Sequence, residues 1–384
     1  MKNFRSLSRY TVFLTMEITR PTLLLDVAKT KNNLAQMLER AKSTGTRLVP
    51  HFKTHQSKEV GKMYRDVGID AIAVSSVKMA TYFAKHGWND ITIAFPFNSL
   101  EMGEVNALLR QGITVTILIS DQATPELLGD KIEGTLNVFI EVDAGYGRSG
   151  ISHENHDAIH SLLENIERIP GLHFIGFYAH PGDTYHAETT EEIKALWADV
   201  RQAMLALKSM VVKEGRTAIL RMGDTPGCSV VTDMEGIDEI GPGNFIFYDL
   251  VMNYLGVCTE DEIAVAVACP IVAKSDVHRQ LVIHGGAVHF SKDHLLDDKG
   301  DQFYGEMVIL EEEGWSPIIP EARLVALSQE HGILKVSDEV FDTLQVGDVV
   351  GFLPIHSCLT ANLMKSYTTL DGEIWEHLED VGQY

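Results

Sequence analysis

The feature that most constrains the fold is an alternation of short apolar runs with amphipathic helical stretches between residues 22 and 248. The runs are rich in Val, Ile and Phe and lie at 22–25, 47–49, 71–74, 91–95, 114–119, 137–142, 173–178 and 218–222. Helical patterns between them cover 27–43, 57–67, 76–85, 99–110, 153–169 and 189–214. This order is typical of parallel βα units. It predicts an α/β fold with one (β/α)8 TIM-like barrel, and a doubly wound open sheet is the alternative.

Beyond residue 250 the pattern changes. Strand-like runs at 263–268, 271–273, 280–283, 322–328, 333–336 and 348–352 follow one another without long helices, and Gly, Asp and Pro separate them. This pattern predicts an antiparallel β domain. We therefore divide the chain into a barrel at 22–250 and a β domain at 251–384.

Residues 1–15 stand apart from both domains. Lys2, Arg5 and Arg9 are basic, but the apolar stretch at 12–14 is too short for the core of a signal peptide. One interpretation is that translation starts at Met16 and that residues 1–15 are a disordered extension. The other is a short ordered strand at the N-terminus.

Composition limits the possible partners. The formal net charge of -22 argues against nucleic-acid binding, which needs a basic surface. The hydrophobic content of 45% and charged content of 22% are ordinary for a soluble globular protein, and the net charge fits a soluble cytoplasmic enzyme. The cysteines are too far apart to indicate a disulfide framework or a zinc finger. No apolar run approaches the roughly 20 residues that a membrane helix needs.

A lysine follows the second apolar run directly. Pro50 ends the run, and Lys53 comes next with His51 and His55 on either side. Just past the carboxyl end of a buried strand, a lysine lies in a partly dry, polar pocket. There it can lose its proton and form a Schiff base with an aldehyde cofactor. The competing interpretation is an ordinary surface lysine, because lysine is mostly exposed.

Two glycine-rich segments follow the later strands, and they contain Thr225, Gly243 and Asn244. Glycine lets backbone N–H groups approach a phosphate, and the Thr225 hydroxyl can add a further donor. Simple turns are the alternative. Phosphate sites of barrels commonly lie after the last strands, which favours the phosphate interpretation.

Three further side chains are predicted at strand ends. Arg148 can hold a cofactor phenolate or a carboxylate in a bidentate fork, or it can pair with Asp143 and pin the turn. Tyr178 and His180 lie where a strand leaves the barrel. There a neutral imidazole can stack on a flat cofactor ring or form a hydrogen bond with it. A core histidine with satisfied hydrogen bonds is the alternative for His180.

His356 and Cys358 form a second candidate site. In a strand, residues i and i+2 point to the same side, so both side chains can reach one metal ion. An imidazole nitrogen and a thiolate suit Zn²⁺, and two protein ligands leave positions open for water and substrate. A His-x-Cys pattern also occurs by chance.

These segments together resemble a known family, the fold-type III pyridoxal-phosphate enzymes. The resemblance is strongest to the D-serine dehydratase and D-threonine aldolase group, which are relatives of alanine racemase. The matching motifs are Ile18-Thr19-Arg20-Pro21-Thr22, Pro50-His51-Phe52-Lys53-Thr54-His55, Asp143-x4-Arg148-x-Gly150, Gly223-x-Thr225-Pro226, Pro242-Gly243-Asn244-x3-Tyr248-Asp249, Ser291-Lys292-Asp293, Glu330-His331-Gly332 and Pro354-x-His356-x-Cys358-x-Thr360-x-Asn362-Leu363.

The resemblance implies a pyridoxal phosphate bound to Lys53, with phosphate contacts from Thr225, Gly243 and Asn244. It implies a divalent metal at His356 and Cys358, with zinc as the first expectation and manganese or magnesium as alternatives. It also implies a homodimer, and a segment at 16–21 that joins the β domain.

The implied activity is that of a lyase on 3-hydroxy D-amino acids. Cys358 favours a D-serine or D-threonine dehydratase, which gives a 2-oxo acid and ammonia, because D-threonine aldolases usually have Asp there. The aldolase, giving glycine and an aldehyde, is the alternative. A racemase would need a second base opposite Lys53. A non-catalytic cofactor carrier generally consists of the barrel alone. Segments 176–183 and 222–224 depart from the family pattern, so the substrate side chain stays open.

Overall fold

The computed structural model describes residues 17–378, so the expectations for residues 1–15 lie outside the described part of the chain. Within this range the chain forms two units, residues 34–245 and residues 17–33 together with 246–378. None of the helices in the described range has both the length and the apolar composition that a membrane span requires.

The first unit is a closed barrel of parallel strands. In order around the barrel, which is also chain order, they are Arg47–Leu48, Ile72–Val74, Asp90–Pro96, Thr114–Ile119, Leu136–Asp143, Leu172–Ala179, Ile219–Met222 and Glu239–Ile240. Glu239 pairs with Arg47, and a parallel bridge joins His51 to Ala73, which closes the ring. A short additional strand, Ile151–Ser152, pairs in parallel with the end of Leu136–Asp143. The predicted TIM-like barrel is therefore confirmed.

The first apolar run does not belong to the barrel, so the prediction that residues 22–25 form a barrel strand is wrong. Thr22–Leu25 pairs with Val265–Ser275 and Ser366–Thr369 in the second unit. The remaining place in the barrel is taken by Glu239–Ile240, a strand of 2 residues. So short a strand leaves no apolar run in the sequence, and for this reason the pattern did not reveal it.

Helices alternate with these strands along the chain. They are Val27–Thr44, Lys58–Asp66, Val77–Lys85, Met102–Arg110, Thr124–Leu128, His156–Arg168, Thr190–Lys213 and Thr225–Val230, with 3-10 turns at Ser99–Glu101, Gly129–Lys131, Gly182–His186 and Asn244–Ile246. Ser76, Asn155 and Thr189 each cap a helix by accepting a hydrogen bond from a backbone N–H in its first turn. Such caps fix where the chain turns from strand to helix.

The second unit contains a mainly antiparallel sheet. In sheet order its strands are Gln280–His284, His331–Lys335, Arg323–Leu327, Gly305–Val308, Val349–Pro354, Val265–Ser275, Thr22–Leu25, Ser366–Thr369 and Ile374–Glu376. Two small hairpins pair Leu295–Leu296 with Gln302–Phe303 and Leu310–Glu311 with Gly314–Trp315. The helices are Leu250–Tyr254, Ala287–Phe290, Asp338–Thr343 and Ser357–Met364, with a 3-10 turn at Glu260–Glu262. The predicted β domain is confirmed.

A buried ion pair joins the last two barrel strands. The Arg221 side chain donates from Nε to Glu239 Oε2 over 2.7 Å and from Nη1 to the Thr92 hydroxyl over 2.7 Å. Its guanidinium also lies over the Phe139 ring, 4.8 Å from the centroid. Both charged side chains are almost inaccessible, at 5% and 6% exposure. The Arg221 charge therefore depends on Glu239 for compensation, whereas Glu239 also pairs with Arg47 Nη1 over 3.1 Å.

We expect Glu239→Gln to lower the free energy of unfolding by about 3 kcal/mol or more, because Arg221 would keep a buried charge without its partner. Chemical denaturation measures this change. Asp66→Asn is the control, since it breaks an exposed pair with Lys62 of 2.7 Å. The control substitution should lower the free energy of unfolding by less than about 0.5 kcal/mol. Equal small losses of stability in both variants would contradict the conclusion that Arg221 depends on Glu239 for charge compensation.

Candidate active site and candidate metal site

Lys53 lies in the turn that follows the first barrel strand. Its backbone N–H donates to His51 Nδ1 over 3.2 Å, and the Gln56 side chain donates to its carbonyl over 3.0 Å. Phe52, directly before it, is fully buried among aromatic rings and anchors the turn. The Lys53 side chain itself is exposed. The expected partly dry pocket is therefore not formed by the described residues of one chain.

The glycine-rich segments pack directly against this turn. A Cβ atom at Gly243 would lie only 2.8 Å from the His51 carbonyl oxygen, and one at Gly223 would lie 2.8 Å from the Gly241 carbonyl oxygen. Any larger residue at these positions would push the segments apart. The Lys53 turn and the two segments predicted for phosphate thus form one surface at the carboxyl ends of the barrel strands.

Asp224 fixes the segment that carries Thr225. It caps the helix Thr225–Val230, and its carboxylate also accepts hydrogen bonds from the Thr184 hydroxyl (2.8 Å) and Trp197 Nε1 (3.1 Å). Thr225 Oγ1 is buried and has no hydrogen-bond partner within the described range. A buried hydroxyl without a partner is costly. This one therefore fits a polar ligand at that position.

Two predicted contacts lie deeper. Tyr178 belongs to a buried cluster with Leu118 and Phe139. Burial raises the pKa of Tyr178 to about 12, so its phenol stays protonated. Asn244 is also buried, at the start of the 3-10 turn after the last barrel strand.

Two neutral histidines lie close to two cations. His180 Nδ1 donates to the Gly223 carbonyl, which leaves Nε2 of the neutral ring as an acceptor. Burial lowers the pKa of His180 to about 4; the bond to Gly223 opposes the shift, and the charges of Arg148 and Lys53 add to it. Burial, followed by the charges of Lys53, His180 and Arg148, holds the pKa of His51 well below its usual range. The His51 and His180 rings therefore lie close enough to Lys53 and Arg148 for those two charges to act on them.

The turn that carries Arg148 is pinned by Asp143, whose Oδ1 accepts from the N–H groups of Gly145 and Gly147 over 3.0 Å each. The Arg148 guanidinium lies over the Tyr146 ring, 5.2 Å from the centroid. Among the described residues Arg148 forms no ion pair. The alternative in which an Asp143–Arg148 pair pins the turn is therefore wrong, and the guanidinium can turn towards a ligand.

His356 and Cys358 lie at the start of a helix. The strand Val349–Pro354 ends before them, and His356 is the N-cap of the helix Ser357–Met364. The argument from alternation along a strand is therefore wrong. The two side chains nevertheless meet, because His356 is hydrogen-bonded to the Cys358 side chain.

Asp293 completes this group, although the sequence analysis gave it no role. Its Oδ2 lies 2.9 Å from His356 Nδ1. A carboxylate on one ring nitrogen orients a histidine and leaves the other nitrogen for a metal. Burial opposes a charge on His356, but hydrogen bonds to Asp293 and Cys358 prevail and raise its pKa to about 11. A metal ion would replace that proton. The only sequence signal for Asp293 was its place in one of the family motifs.

A second group of possible metal ligands is less suitable. Ligand atoms of His284, His289 and Glu330 lie within 4.8 Å of one another. The Gly286 N–H donates to His289 Nδ1 over 3.1 Å, so the neutral ring carries its proton on Nε2. Nε2 is the nitrogen that lies 4.0 Å from Glu330. The protonated nitrogen therefore faces the position that a metal would need.

Two family models match the chain. "Alanine racemase, N-terminal domain" matches residues 25–250, and "Putative serine dehydratase domain" matches residues 264–370. The chain is 26% identical to D-threo-3-hydroxyaspartate dehydratase of Delftia sp. (strain HT23), over 94% of this chain and 98% of that protein. It is 26% identical to D-serine dehydratase of Dictyostelium discoideum, over 93% and 94% of the two chains. It is 25% identical to 3-hydroxy-D-aspartate aldolase of Paracoccus denitrificans (strain Pd 1222), over 91% and 88%.

The structure of the Delftia dehydratase is similar throughout. It matches with a TM-score of 0.86 at 25% identity and covers 95% of this chain and 98% of its own. A variant of D-threo-3-hydroxyaspartate dehydratase with a cysteine replaced by alanine, also at a TM-score of 0.86, is in the metal-free form at 24% identity and the same coverage.

We expect Asp224→Asn to change the pH dependence of stability. Burial raises the pKa of Asp224 from 3.8 to about 6, so its stabilising contribution is present below pH 3.8 and is lost as the pH rises through 6. The variant lacks this loss. Its stability relative to the wild type should therefore rise by on the order of 3 kcal/mol across this window. Denaturation at several pH values measures it.

Asp70→Asn is the control with the opposite sign, because a hydrogen bond from Arg47 lowers the pKa of Asp70. That carboxylate contributes stability above its unfolded pKa. Its replacement should therefore give a small relative loss as the pH rises. The same pH trend in both variants would contradict the raised pKa of Asp224.

Proposed function

The chain belongs to the alanine racemase family, and on that basis we propose that it is a pyridoxal-phosphate- and metal-dependent lyase. In this proposal it acts as a dehydratase that removes the 3-hydroxyl group of a D-amino acid and gives a 2-oxo acid and ammonia. The observation that carries the proposal is the contact of His356 with Cys358 and Asp293. A racemase has no use for such a donor set and would need a second base opposite Lys53.

The described barrel residues fit pyridoxal phosphate. Lys53 would hold the aldehyde carbon from the turn after the first strand. The Thr225 hydroxyl, buried without a partner within the described range, would donate to the phosphate. Gly243 would let backbone N–H groups approach it, with Asn244 beside them. When bound, this cofactor supplies an electron sink for negative charge at the substrate Cα.

The surrounding side chains would orient the cofactor and move the proton. Arg148 would donate to the phenolate oxygen. The neutral His180 ring would contact the flat face or the edge of the cofactor ring, and the protonated Tyr178 phenol would donate a hydrogen bond to the cofactor. The Lys53 amine, released when the substrate amine takes its place, would accept the proton from Cα at Nζ.

His356 and Cys358 would hold the metal. Their nitrogen and sulfur donors suit zinc best, with manganese or magnesium as alternatives. A divalent ion supplies Lewis-acid chemistry for a hydroxyl group. The metal-free form of a cysteine-to-alanine variant of D-threo-3-hydroxyaspartate dehydratase supports a cysteine ligand, and the similar dehydratases support the dehydratase reaction. The similar aldolase keeps cleavage to glycine and an aldehyde as the second candidate.

We further propose a homodimer in the cytoplasm. The exposed Lys53 side chain lies at a surface that a second subunit would cover. No disulfide joins the cysteines of the described range, as expected in a reducing compartment.

Product analysis with D-serine and D-threonine, with and without a chelator, tests the reaction. We expect pyruvate or 2-oxobutyrate together with ammonia, and we expect chelation to remove the activity. Glycine and acetaldehyde from D-threonine would replace the dehydratase by the aldolase. Conversion to the L-enantiomer, insensitive to chelator, would overturn the lyase proposal.

Replacing the proposed metal ligands tests the site itself. In His356→Ala and Cys358→Ala we expect the bound zinc, measured by elemental analysis, to fall by at least about tenfold, because each variant loses one protein ligand. The absorbance of the bound cofactor should stay. Cys258→Ala is the matched control, since burial raises the pKa of that thiol and makes it a poor ligand. Zinc retained in the ligand variants would refute the site.

A further inference from the structure

Glu141 is a buried carboxylate in the barrel that the proposed mechanism does not use. It lies near the carboxyl end of the strand Leu136–Asp143 and is only 4% exposed. Its partner in the neighbouring strand is Tyr178. Register partners in adjacent strands point to the same side of the sheet. Glu141 and Tyr178 therefore lie at the same level of the barrel, at its carboxyl end.

Only one oxygen of Glu141 has a partner in the described range. Oε1 accepts a hydrogen bond from the Ser149 hydroxyl over 2.7 Å, whereas Oε2 is buried and unpaired. Burial raises the pKa of Glu141, while the bond from Ser149 and the charge of Arg148 oppose the shift. A buried carboxylate oxygen without a donor costs free energy. It indicates a partner that arrives in another state of the site.

Arg148 is the cation that acts on this carboxylate. Its segment is already tied to Glu141, because the next residue, Ser149, makes the hydrogen bond to Oε1. The chain also returns closely at Gly150, where φ is +105° and a Cβ atom would lie 3.2 Å from the Glu141 carbonyl oxygen. The guanidinium meanwhile rests over Tyr146 without an ion pair in the described range.

We propose that Glu141 is the positioning residue for Arg148, accepting from the guanidinium at Oε2 when the cofactor binds. The inference rests on the proposed function. A guanidinium has five N–H donors in a planar fork, so one edge can bind Glu141 while another reaches the cofactor phenolate. Arg148 then leaves the Tyr146 ring, and the unpaired oxygen gains its donor.

A double-mutant cycle on cofactor affinity tests this coupling. The probe is pyridoxal phosphate, titrated into the full-length apoprotein and followed by its visible absorbance. We expect Glu141→Gln to weaken binding by about tenfold, since Gln keeps the bond to Ser149 but loses the charge-assisted bond to Arg148. In an Arg148→Ala background the same change should weaken it by less than about twofold. Glu154→Gln, at an exposed glutamate, should have no effect in either background.

Equal losses in both backgrounds would mean that Glu141 only supports the barrel, and no loss in either would mean that it does not act on the site. Each result overturns the inference. If Glu141→Gln does not fold, Glu141→Asp can replace it in the cycle. The aspartate keeps the negative charge, but its shorter side chain draws the carboxylate back from Arg148. Lys53→Ala separates this inference from the proposed function. If Lys53→Ala loses the visible band while the effects of the Glu141 and Arg148 changes are additive, the proposed function stands and only the positioning role of Glu141 is refuted.

Discussion

The backbone pairing at Pro50 and His51 is the interaction on which the barrel site depends. The Phe52 N–H donates to the Ala73 carbonyl over 2.8 Å, and the Ala73 N–H donates to Pro50 over 2.9 Å. On the other side, the His51 N–H donates to the Pro242 carbonyl over 2.9 Å. The segment directly after the first strand is thus held by both neighbouring strands. The turn that follows has to place Lys53 at the rim, between the second and the eighth strands.

Close packing then sets the electrostatics of that rim. Glycine at 243 brings the last segment within contact of His51, and burial lowers the pKa values of both His51 and His180 so that the two rings are neutral. Lys53 and Arg148 remain as the cations. A chain with a formal net charge of -22 therefore presents a locally positive surface beside an unpaired hydroxyl. Such a surface suits an anionic ligand, and it arises from local burial rather than from overall composition.

Sequence reasoning found the elements that depend on local pattern and missed those that depend on distant partners. The barrel followed from its alternating runs, but Thr22–Leu25 has the same apolar character as a barrel strand, and only its pairing with Val265–Ser275 assigns it elsewhere. Glu239–Ile240 was missed because 2 residues carry no periodicity.

The site residues divide in the same way. Lys53, Thr225 and Gly243 could be named as candidates because strand ends are visible in the sequence. Asp293 and Glu141 were not assigned roles, since neither a hydrogen bond to a distant histidine nor the burial of a carboxylate can be read from neighbouring residues.

In the second unit the candidate metal pair is held by one buried carboxylate. Asp249 accepts from the Met252 N–H at the start of one helix and from the Ser357 N–H at the start of another, over 3.1 and 2.9 Å. It therefore fixes the first turn of the helix that carries Cys358, while Asp293 fixes the His356 ring. A carboxylate at a helix N-terminus interacts favourably with the helix dipole, and Asp249 does so for both helices. Because Asp249 fixes the backbone around Cys358, exchange of its sulfur for a harder oxygen donor would change the donor chemistry of the candidate site and leave the local fold in place. In the proposed function, the choice between elimination and carbon–carbon cleavage would then depend on that donor.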